Sequence, residues 1–396
     1  MAAILFGHPC LLSGGSELAV AWGVQALLGS HKVGIVTGCP CDLGQLNRHC
    51  GTSLEEIDMG ILCAPQWLRR AIGHTDALRG ALFARYLRSV ASGFDVCISG
   101  YNMMDFGRPA IQFIADMSFD DALRHRYHPL PGGVRRLFHR PGMLRKGYAT
   151  VTRTIAGRSD YRGVEDWLVA NSTWTANLLR SRLGLLSNRV IFPPVADAVA
   201  ALPWAQREAG FVILGRVTHE KRIVGMIDIL ARVRAAGHDV HLHLMGTIGD
   251  DEYGQMIRDR IARNSNWCSA VGYMAGAEKM AFLARHRFAI HGCLGEAFGV
   301  AVAEYVKAGC IAFVPHQGGP AEIVGTNELT YQDEDEAVAK IVRLLENPGR
   351  QREVQAYLTQ RATLFSTERF MTEVRVLVAD WLRHCGDADM GSRHAG

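Results

Sequence analysis

Phe288-Ala289-Ile290-His291-Gly292-Cys293-Leu294-Gly295-Glu296-Ala297-Phe298-Gly299-Val300 runs from an apolar stretch, through a glycine-punctuated turn, into the helical periodicity that opens with Ala301-Val302-Ala303-Glu304. A short apolar run bounded by glycine reads as a buried strand, and the periodic segment after the turn reads as a helix. Strand, turn and helix in that order make one βα unit of a parallel sheet. The same alternation extends outward in both directions. Towards the amino terminus, strands are expected near Phe211–Leu214, Val240–Met245 and Trp267–Val271; towards the carboxyl terminus, near Ile311–Val314 and Leu329–Tyr331. The first half carries its own set, near Ala3–Gly7, Lys32–Thr37, Asp95–Ser99, Ala110–Ile114, Trp167–Ala170 and Arg189–Phe192. Two runs of βα units predict two doubly wound α/β domains.

The length of 396 residues agrees, because single cores seldom grow beyond about 250–300 residues. Prolines 193, 194 and 203 punctuate the junction, which predicts a first domain over residues 1–196 and a second over 197–366. Residues 367–396 are expected to form a last helix and a frayed tail beyond Cys385, with docking that the sequence does not specify. A net charge of +4 is too small over this length for general nucleic-acid binding. No apolar run reaches the roughly 18–20 residues of a membrane span, and the start lacks the basic region of a signal peptide, so a cytoplasmic protein is expected. The ten cysteines are scattered, and no disulfide is expected. Cys39-Pro-Cys41 with Cys50 lacks the second pair or histidine that a zinc site requires, and reads as loop.

In a doubly wound domain the loops after the strands line the ligand crevice, which places the opening motif there. Free N–H groups at Gly299 and Val300, on a helix start, suit phosphate. Glu296 and Glu304 lie eight residues apart, a little over two helical turns, so both can reach one cleft; solvated helix charges are the competing reading. Gly215-Arg216-Val217-Thr218-His219-Glu220-Lys221-Arg222 comes after another strand, and its Arg216 and Lys221 suit a diphosphate as fork and point charge, or are ordinary loop charges. Ser13-Gly14-Gly15-Ser16-Glu17 after the first strand allows close backbone approach or a simple tight turn, and Gly318-Gly319-Pro320-Ala321-Glu322 leaves the same choice open.

Taken in order, these motifs resemble glycosyltransferase family 4, the retaining nucleotide-sugar transferases of GT-B architecture, in which two Rossmann-like domains face each other across a cleft. Gly14-Gly15-Ser16-Glu17 is similar to the family's amino-terminal glycine motif, Asn171-Ser172-Thr173-Trp174-Thr175 to its interdomain segment, and Gly215-Arg216 with Glu220-Lys221-Arg222 to its phosphate loop. Glu296 and Glu304, with Phe298-Gly299 between them, are similar to its pair of spaced glutamates. Within the family, the stretch from Glu296 to Gly318-Gly319-Pro320 is similar to mannosyltransferases that extend dolichol-linked oligosaccharides. The resemblance implies that Arg216 and Lys221 hold the diphosphate and Glu304 the ribose hydroxyls. It implies that Glu296 touches the transferred sugar beside the amides of Gly299 and Val300, that Gly15 approaches the phosphates from the other domain, and that Gly272-Tyr273-Met274 lie beside the base. It further implies retention, a nucleotide-diphosphate sugar as donor, no metal or other cofactor, and a glycan, lipid-linked or small-molecule acceptor. Where many relatives carry histidine after the strand Ala110–Ile114, this chain has Ala115-Asp116, and Asp116 is assigned to orienting the acceptor.

Other readings fit less well. No G-x-G occurs in the chain, against a dinucleotide-binding dehydrogenase, and Gly142-Met143-Leu144-Arg145-Lys146-Gly147 lacks the ending of a P-loop. A nucleotide-sugar 2-epimerase of the same architecture and a non-catalytic nucleotide-sugar sensor remain open. The stretch Val134–Arg162 carries eight basic residues against Asp160 alone, with Leu144, Tyr148, Val151 and Ile155 on one helical face. Such a helix touches anionic membrane or simply packs with a solvated basic face. If it touches membrane, the protein sediments with anionic vesicles at low salt and releases at high salt; equal recovery from neutral and anionic vesicles would rule the contact out.

Overall fold

The computed structural model describes residues 1–12, 14–56, 59–65, 76–127, 165–196 and 202–394, together with residues 143, 147, 150–152 and 154. The basic stretch 134–162 therefore lies almost wholly outside the described residues, as do Ser13 and residues 197–201 in the middle of the expected domain junction.

Two parallel sheets organise the chain. The first contains β1 (Ala3–His8), β2 (Lys32–Thr37), β3 (Met59–Cys63), β4 (Val96–Ser99), β5 (Ile111–Ile114), β6 (Trp167–Ala170) and β7 (Arg189–Val190), in the order β3-β2-β1-β4-β5-β6-β7. The second contains β8 (Glu208–Leu214), β9 (His241–Met245), β10 (Cys268–Gly272), β11 (His286–Ile290), β12 (Ile311–Pro315) and β13 (Thr330–Tyr331), in the order β10-β9-β8-β11-β12-β13. All pairings are parallel, and helices fall between the strands. Strands of such sheets are covered on both faces, which is why β12 is apolar throughout and both β5 and β12 are wholly buried. The fold is GT-B, with two Rossmann-like lobes facing a cleft.

Each expected strand is present, and one more was missed. β3, Met59-Gly60-Ile61-Leu62-Cys63, is short, alternates buried and exposed positions at the edge of its sheet, and is interrupted by Gly60, which weakens a strand signal. A second correction concerns the cysteines: Cys10 and Cys39 form a disulfide. His8 pairs with Thr37 in the β1–β2 register, and two residues further along each chain lie the two cysteines, their Cα atoms 5.0 Å apart. Their separation of 29 residues conceals a proximity that only the parallel register creates.

The last helix, Thr367–His394, runs through the segment expected to fray. It returns to the first lobe, where Phe370, Val374, Leu377, Val378 and Trp381 join the core formed with the helix Gly15–Leu27. Arg375 Nε donates to Ala26 O at 2.8 Å, Arg189 pairs with Asp380, and Trp381 meets Trp167 edge to face at 5.3 Å. The chain thus crosses between lobes twice, and the crossings touch, since Val195 N donates to Phe365 O at 2.9 Å. Trp381 is buried, so Trp381→Ala should cost about 3–5 kcal/mol through lost burial and a cavity. Urea unfolding monitored at the first lobe reads this directly.

Candidate active site

In the second sheet β8 and β11 are neighbours although two strands, β9 and β10, come between them in sequence, and the strand sequence runs in opposite directions on either side of them. At such a reversal the loops leaving the two strands part and open a crevice. The loop after β8 carries Arg216 and Lys221, and the loop after β11 carries His291 to Gly299. Topology therefore forces the two motifs together.

They meet as an ion pair. Lys221, on a short turn of 3-10 helix (His219–Lys221), donates from Nζ to both oxygens of Glu296, at 3.0 and 2.9 Å. His291 Nε2 lies 2.6 Å from Glu296 Oε2. Burial pushes the Glu296 carboxyl up, but Lys221 and His291 overcome it and hold the group well below the usual carboxylate range. Burial likewise pulls the Lys221 ammonium down, and Glu296 reverses the effect, leaving it raised. Cys293 stands close by, its thiol pushed up to about 12 by burial and by Glu296. His291, Cys293 and Glu296 bring three possible metal-ligand atoms together. Lys221 already neutralises Glu296 and the thiol stays protonated, so this cluster works as an ion pair.

Arg216 is exposed and near enough to lower the Lys221 ammonium electrostatically. Its guanidinium makes no hydrogen bond or ion pair among the described residues. Gly215, at φ +146°, lies against Gly246, where an added Cβ would stand 2.1 Å from Gly215 O.

The glutamate loop is held by glycine. Gly319 N donates to Glu296 O at 2.8 Å, and a Cβ on Gly319 would meet Ala297 O at 2.4 Å and Phe298 Cα at 2.5 Å. The pair Gly318-Gly319, open between turn and ligand loop from sequence, is a close-packed support for the motif before it. Gly299, at φ +99°, then begins the helix Val300–Lys307, which has no side-chain cap. Glu304 is buried on that helix and ion-paired to Lys279 on the helix Gly276–Ala284, a partner that sequence reading missed. Gly272 ends β10 at φ +80°, with Tyr273 largely exposed and Met274 packed at the core margin.

The first lobe presents its glycine motif to the same helix start. A Cβ on Gly15 would lie 3.0 Å from Val300 Cγ2, so the two lobes approach across this glycine. Gly14 has no such space either, since a Cβ there would meet Glu17 Oε2 at 2.6 Å. Ser16 Oγ donates to Glu17 Oε2 at 2.8 Å and lies 3.0 Å from His8 Nε2. Burial pulls the His8 imidazole down to about 4 against the opposing charge of Glu17. His8 stacks edge to face on Tyr101, whose hydroxyl donates to Asp116 Oδ2 at 2.6 Å. Asp116 Oδ1 accepts from Asn102 Nδ2 at 2.6 Å and from Ser118 N at 2.8 Å. Both of its oxygens are therefore engaged, and it fixes Asn102, which sits at φ +55°.

The interdomain segment clasps the lobes. Ser172 caps the helix Thr173–Leu183 and donates from Oγ to Ala297 O at 2.6 Å. Glu322 accepts from the backbone N–H groups of Thr173 and Trp174 at the start of the same helix. Glu322 thus acts as a capping carboxylate borrowed from the other lobe.

Comparison with known proteins respects the same division. A family model described as "Glycosyl transferases group 1" matches residues 197–363, the lobe that carries the ion pair. Among curated proteins, the GDP-Man:Man(3)GlcNAc(2)-PP-Dol alpha-1,2-mannosyltransferase of Candida glabrata is 27% identical over 173 residues. That match covers 39% of this chain and only about a third, 34%, of the relative. Among solved structures, HepE of Anabaena in complex with UDP and glucose superposes with a TM-score of 0.67 at 16% identity, covering 96% of this chain and all of that one. Sucrose-phosphate synthase from Thermosynechococcus elongatus gives 0.68 at 14% identity, covering 97% of this chain and 100% of its own. Both share the GT-B fold, and the second lobe of this chain is related to the group 1 transferases.

Glu296→Gln removes the charge that Lys221 and His291 surround, at about one-fifth exposure of both partners in the ion pair, and should cost about 2–4 kcal/mol. Because the folded-state value of Glu296 is depressed, its contribution is present above the unfolded value of about 4.3 and fades as pH falls from there towards the folded value. The gap in urea midpoint between parent and variant should stay constant from neutral pH to about 5 and close below about 4. A gap independent of pH down to the acid limit would show that the pair contributes nothing.

Proposed function

We propose that the protein is a retaining glycosyltransferase that moves a hexose from a nucleotide-diphosphate sugar to a glycan, lipid-linked or small-molecule acceptor, with no catalytic metal. The observation that carries this reading is the Lys221–Glu296 pair at the crevice of the second sheet, beside the uncapped start of the helix Val300–Lys307. An ammonium has three N–H donors. Two of those on Lys221 are directed at Glu296, which leaves one for a phosphate oxygen. Arg216 adds an unengaged guanidinium, and the first amides of the helix add a partial positive charge. Glu296 accepts three hydrogen bonds where a carboxylate offers about four sites, so it can also take a sugar hydroxyl.

In the proposed reaction the anomeric carbon–oxygen bond breaks and its electron pair goes to the diphosphate. The acceptor oxygen bonds the anomeric carbon on the same face, and its proton leaves with the diphosphate. Positive charge grows on the ring and negative charge on the leaving group. Lys221, Arg216 and the amides of Gly299 and Val300 stabilise the leaving group from fixed positions. Glu304 binds the ribose hydroxyls, with Lys279 holding its carboxylate in place, and Gly272-Tyr273-Met274 flank the base. Residues 197–366 hold the donor and residues 1–196 the acceptor; Gly14 and Gly15 let the first lobe close on the phosphates and exclude water. Asp116 acts as a positioning residue, through Tyr101 and Asn102, on the acceptor side. Two relatives, one named for its action on GDP-mannose and one solved with UDP and glucose, support a hexosyl nucleotide as donor.

The test is nucleotide release from GDP-mannose and UDP-glucose, with and without candidate acceptors. Release by the parent should depend on acceptor, and the product should keep the donor's anomeric configuration by NMR. Lys221→Ala should lower kcat by about 100- to 1000-fold, the loss typical of one transition-state donor. Glu304→Ala should act chiefly by raising the KM for donor. Two variants that match the parent would overturn the assignment.

A further inference from the structure

A second cluster of ligating side chains lies at the opposite edge of the same sheet. β9, β8 and β11 are adjacent, so their first residues, His241, Glu208 and His286, stand side by side where the chain enters the sheet. The register pairs Glu208 with His286, and His241 with Gly210. His243 comes two residues after His241 and points to the same face. Glu208, His241, His243 and His286 each bring one oxygen or nitrogen into a group whose atoms all lie within 4.8 Å of one another.

We propose that these four residues bind a single divalent transition-metal ion of the zinc class, in a structural site remote from the transfer reaction. Tetrahedral bonds of about 2.0–2.1 Å place ligand atoms roughly 3.3 Å from one another. His243 Nδ1 and His286 Nε2 are 2.7 Å apart, His241 Nε2 and Glu208 Oε2 3.1 Å, and His286 Nε2 and Glu208 Oε2 3.8 Å, which brackets that spacing. Three imidazoles and a carboxylate suit zinc and its neighbours rather than magnesium or calcium.

Two of the four ligands carry the outer partners that metal sites use to orient their ligands. His286 Nδ1 donates to Phe282 O at 2.9 Å, which turns the lone pair of Nε2 into the cluster. Arg285 donates to Glu208 Oε1 from Nε at 2.9 Å and Nη2 at 2.6 Å, which leaves Oε2 for the ion and partly screens its charge. Gly210 supplies the space, because a Cβ there would stand 2.1 Å from His241 Nε2. His286 is wholly buried, while the side chains of His241 and Glu208 are about one-third exposed and give the ion a path from solvent. In the metal-free protein an N–H joins His243 Nδ1 to His286 Nε2; with His286 Nδ1 donating to Phe282 O, that hydrogen sits on His243, and binding of the ion at Nδ1 moves it to Nε2 of the same ring.

The test uses the full chain, stripped with chelator and titrated with Co2+ alone. One equivalent should bind with the strong visible bands of tetrahedral Co2+ and without thiolate charge-transfer bands, and Zn2+ should displace it. Zn2+ should also raise the Tm of the parent. His241→Ala and Glu208→Gln alter partly exposed ligands, so both should fold with the circular dichroism of the parent and lose the Co2+ spectrum. Cys293→Ser, in the cleft cluster, should keep it. Absence of stoichiometric Co2+ in the parent, a spectrum retained in both ligand variants, or one lost with Cys293→Ser would overturn the proposal.

Discussion

The position of the Glu296 carboxylate in the crevice depends on a contact between two stretches of backbone. Residues 296–298 lie so close to Gly318-Gly319 that no side chain fits between them, and a bridge between Glu296 and Gly318 joins them. Side chains hop between rotamers, whereas two main chains in contact share one geometry. From that contact Glu296 is directed at Lys221, Ala297 O is presented to Ser172 in the other lobe, and Gly299 starts its helix at a fixed angle. Glu322, three residues after the glycine pair, then caps the helix across the cleft. One glycine dipeptide thus supports both the Glu296 carboxylate and the junction between lobes.

The charges in the cleft are arranged by this framework. The second lobe places two ion pairs, Lys221–Glu296 and Lys279–Glu304, one ahead of a helix and one along it, each with both partners largely buried. Paired buried charges add little net stability over apolar residues of similar size, so their presence is better explained by use than by folding. The first lobe faces them with a polar chain running from Glu17 through Ser16, His8 and Tyr101 to Asp116, in which neighbouring groups are fixed by hydrogen bonds or ring contact. The second lobe thus offers preorganised ion pairs beside the unengaged guanidinium of Arg216, and the first lobe a hydrogen-bonded polar chain with a carboxylate at each end.

The sequence made the architecture legible because parallel strands covered on both faces are unbroken apolar runs, as in Ile311–Pro315. It made Lys221 and Glu296 legible because loops after strands are where such sheets bind ligands. Edge strand β3 escaped because it is short and broken by Gly60, and glycine inside a strand weakens its signal. The Cys10–Cys39 bond, the Lys279–Glu304 pair and the cluster of Glu208 with three histidines escaped for a different reason. Each joins residues from separate βα units, and their proximity exists only after the strands are in register. The alternating histidines His241 and His243 were the one trace of the last of these in the linear chain. The glycine pair at 318 and 319 was visible, but its purpose was not, because nothing in a sequence states which backbone another will touch.

The last helix adds a constraint of another kind. Its Phe370, Val374, Leu377 and Trp381 complete the core of a lobe whose first strand begins at Ala3. During synthesis the opening lobe emerges first, yet it lacks one wall until the whole second lobe and the return crossing have left the ribosome. The half of the molecule made earliest is therefore finished latest, and it corresponds to no continuous stretch that could be cut out and expected to fold by itself.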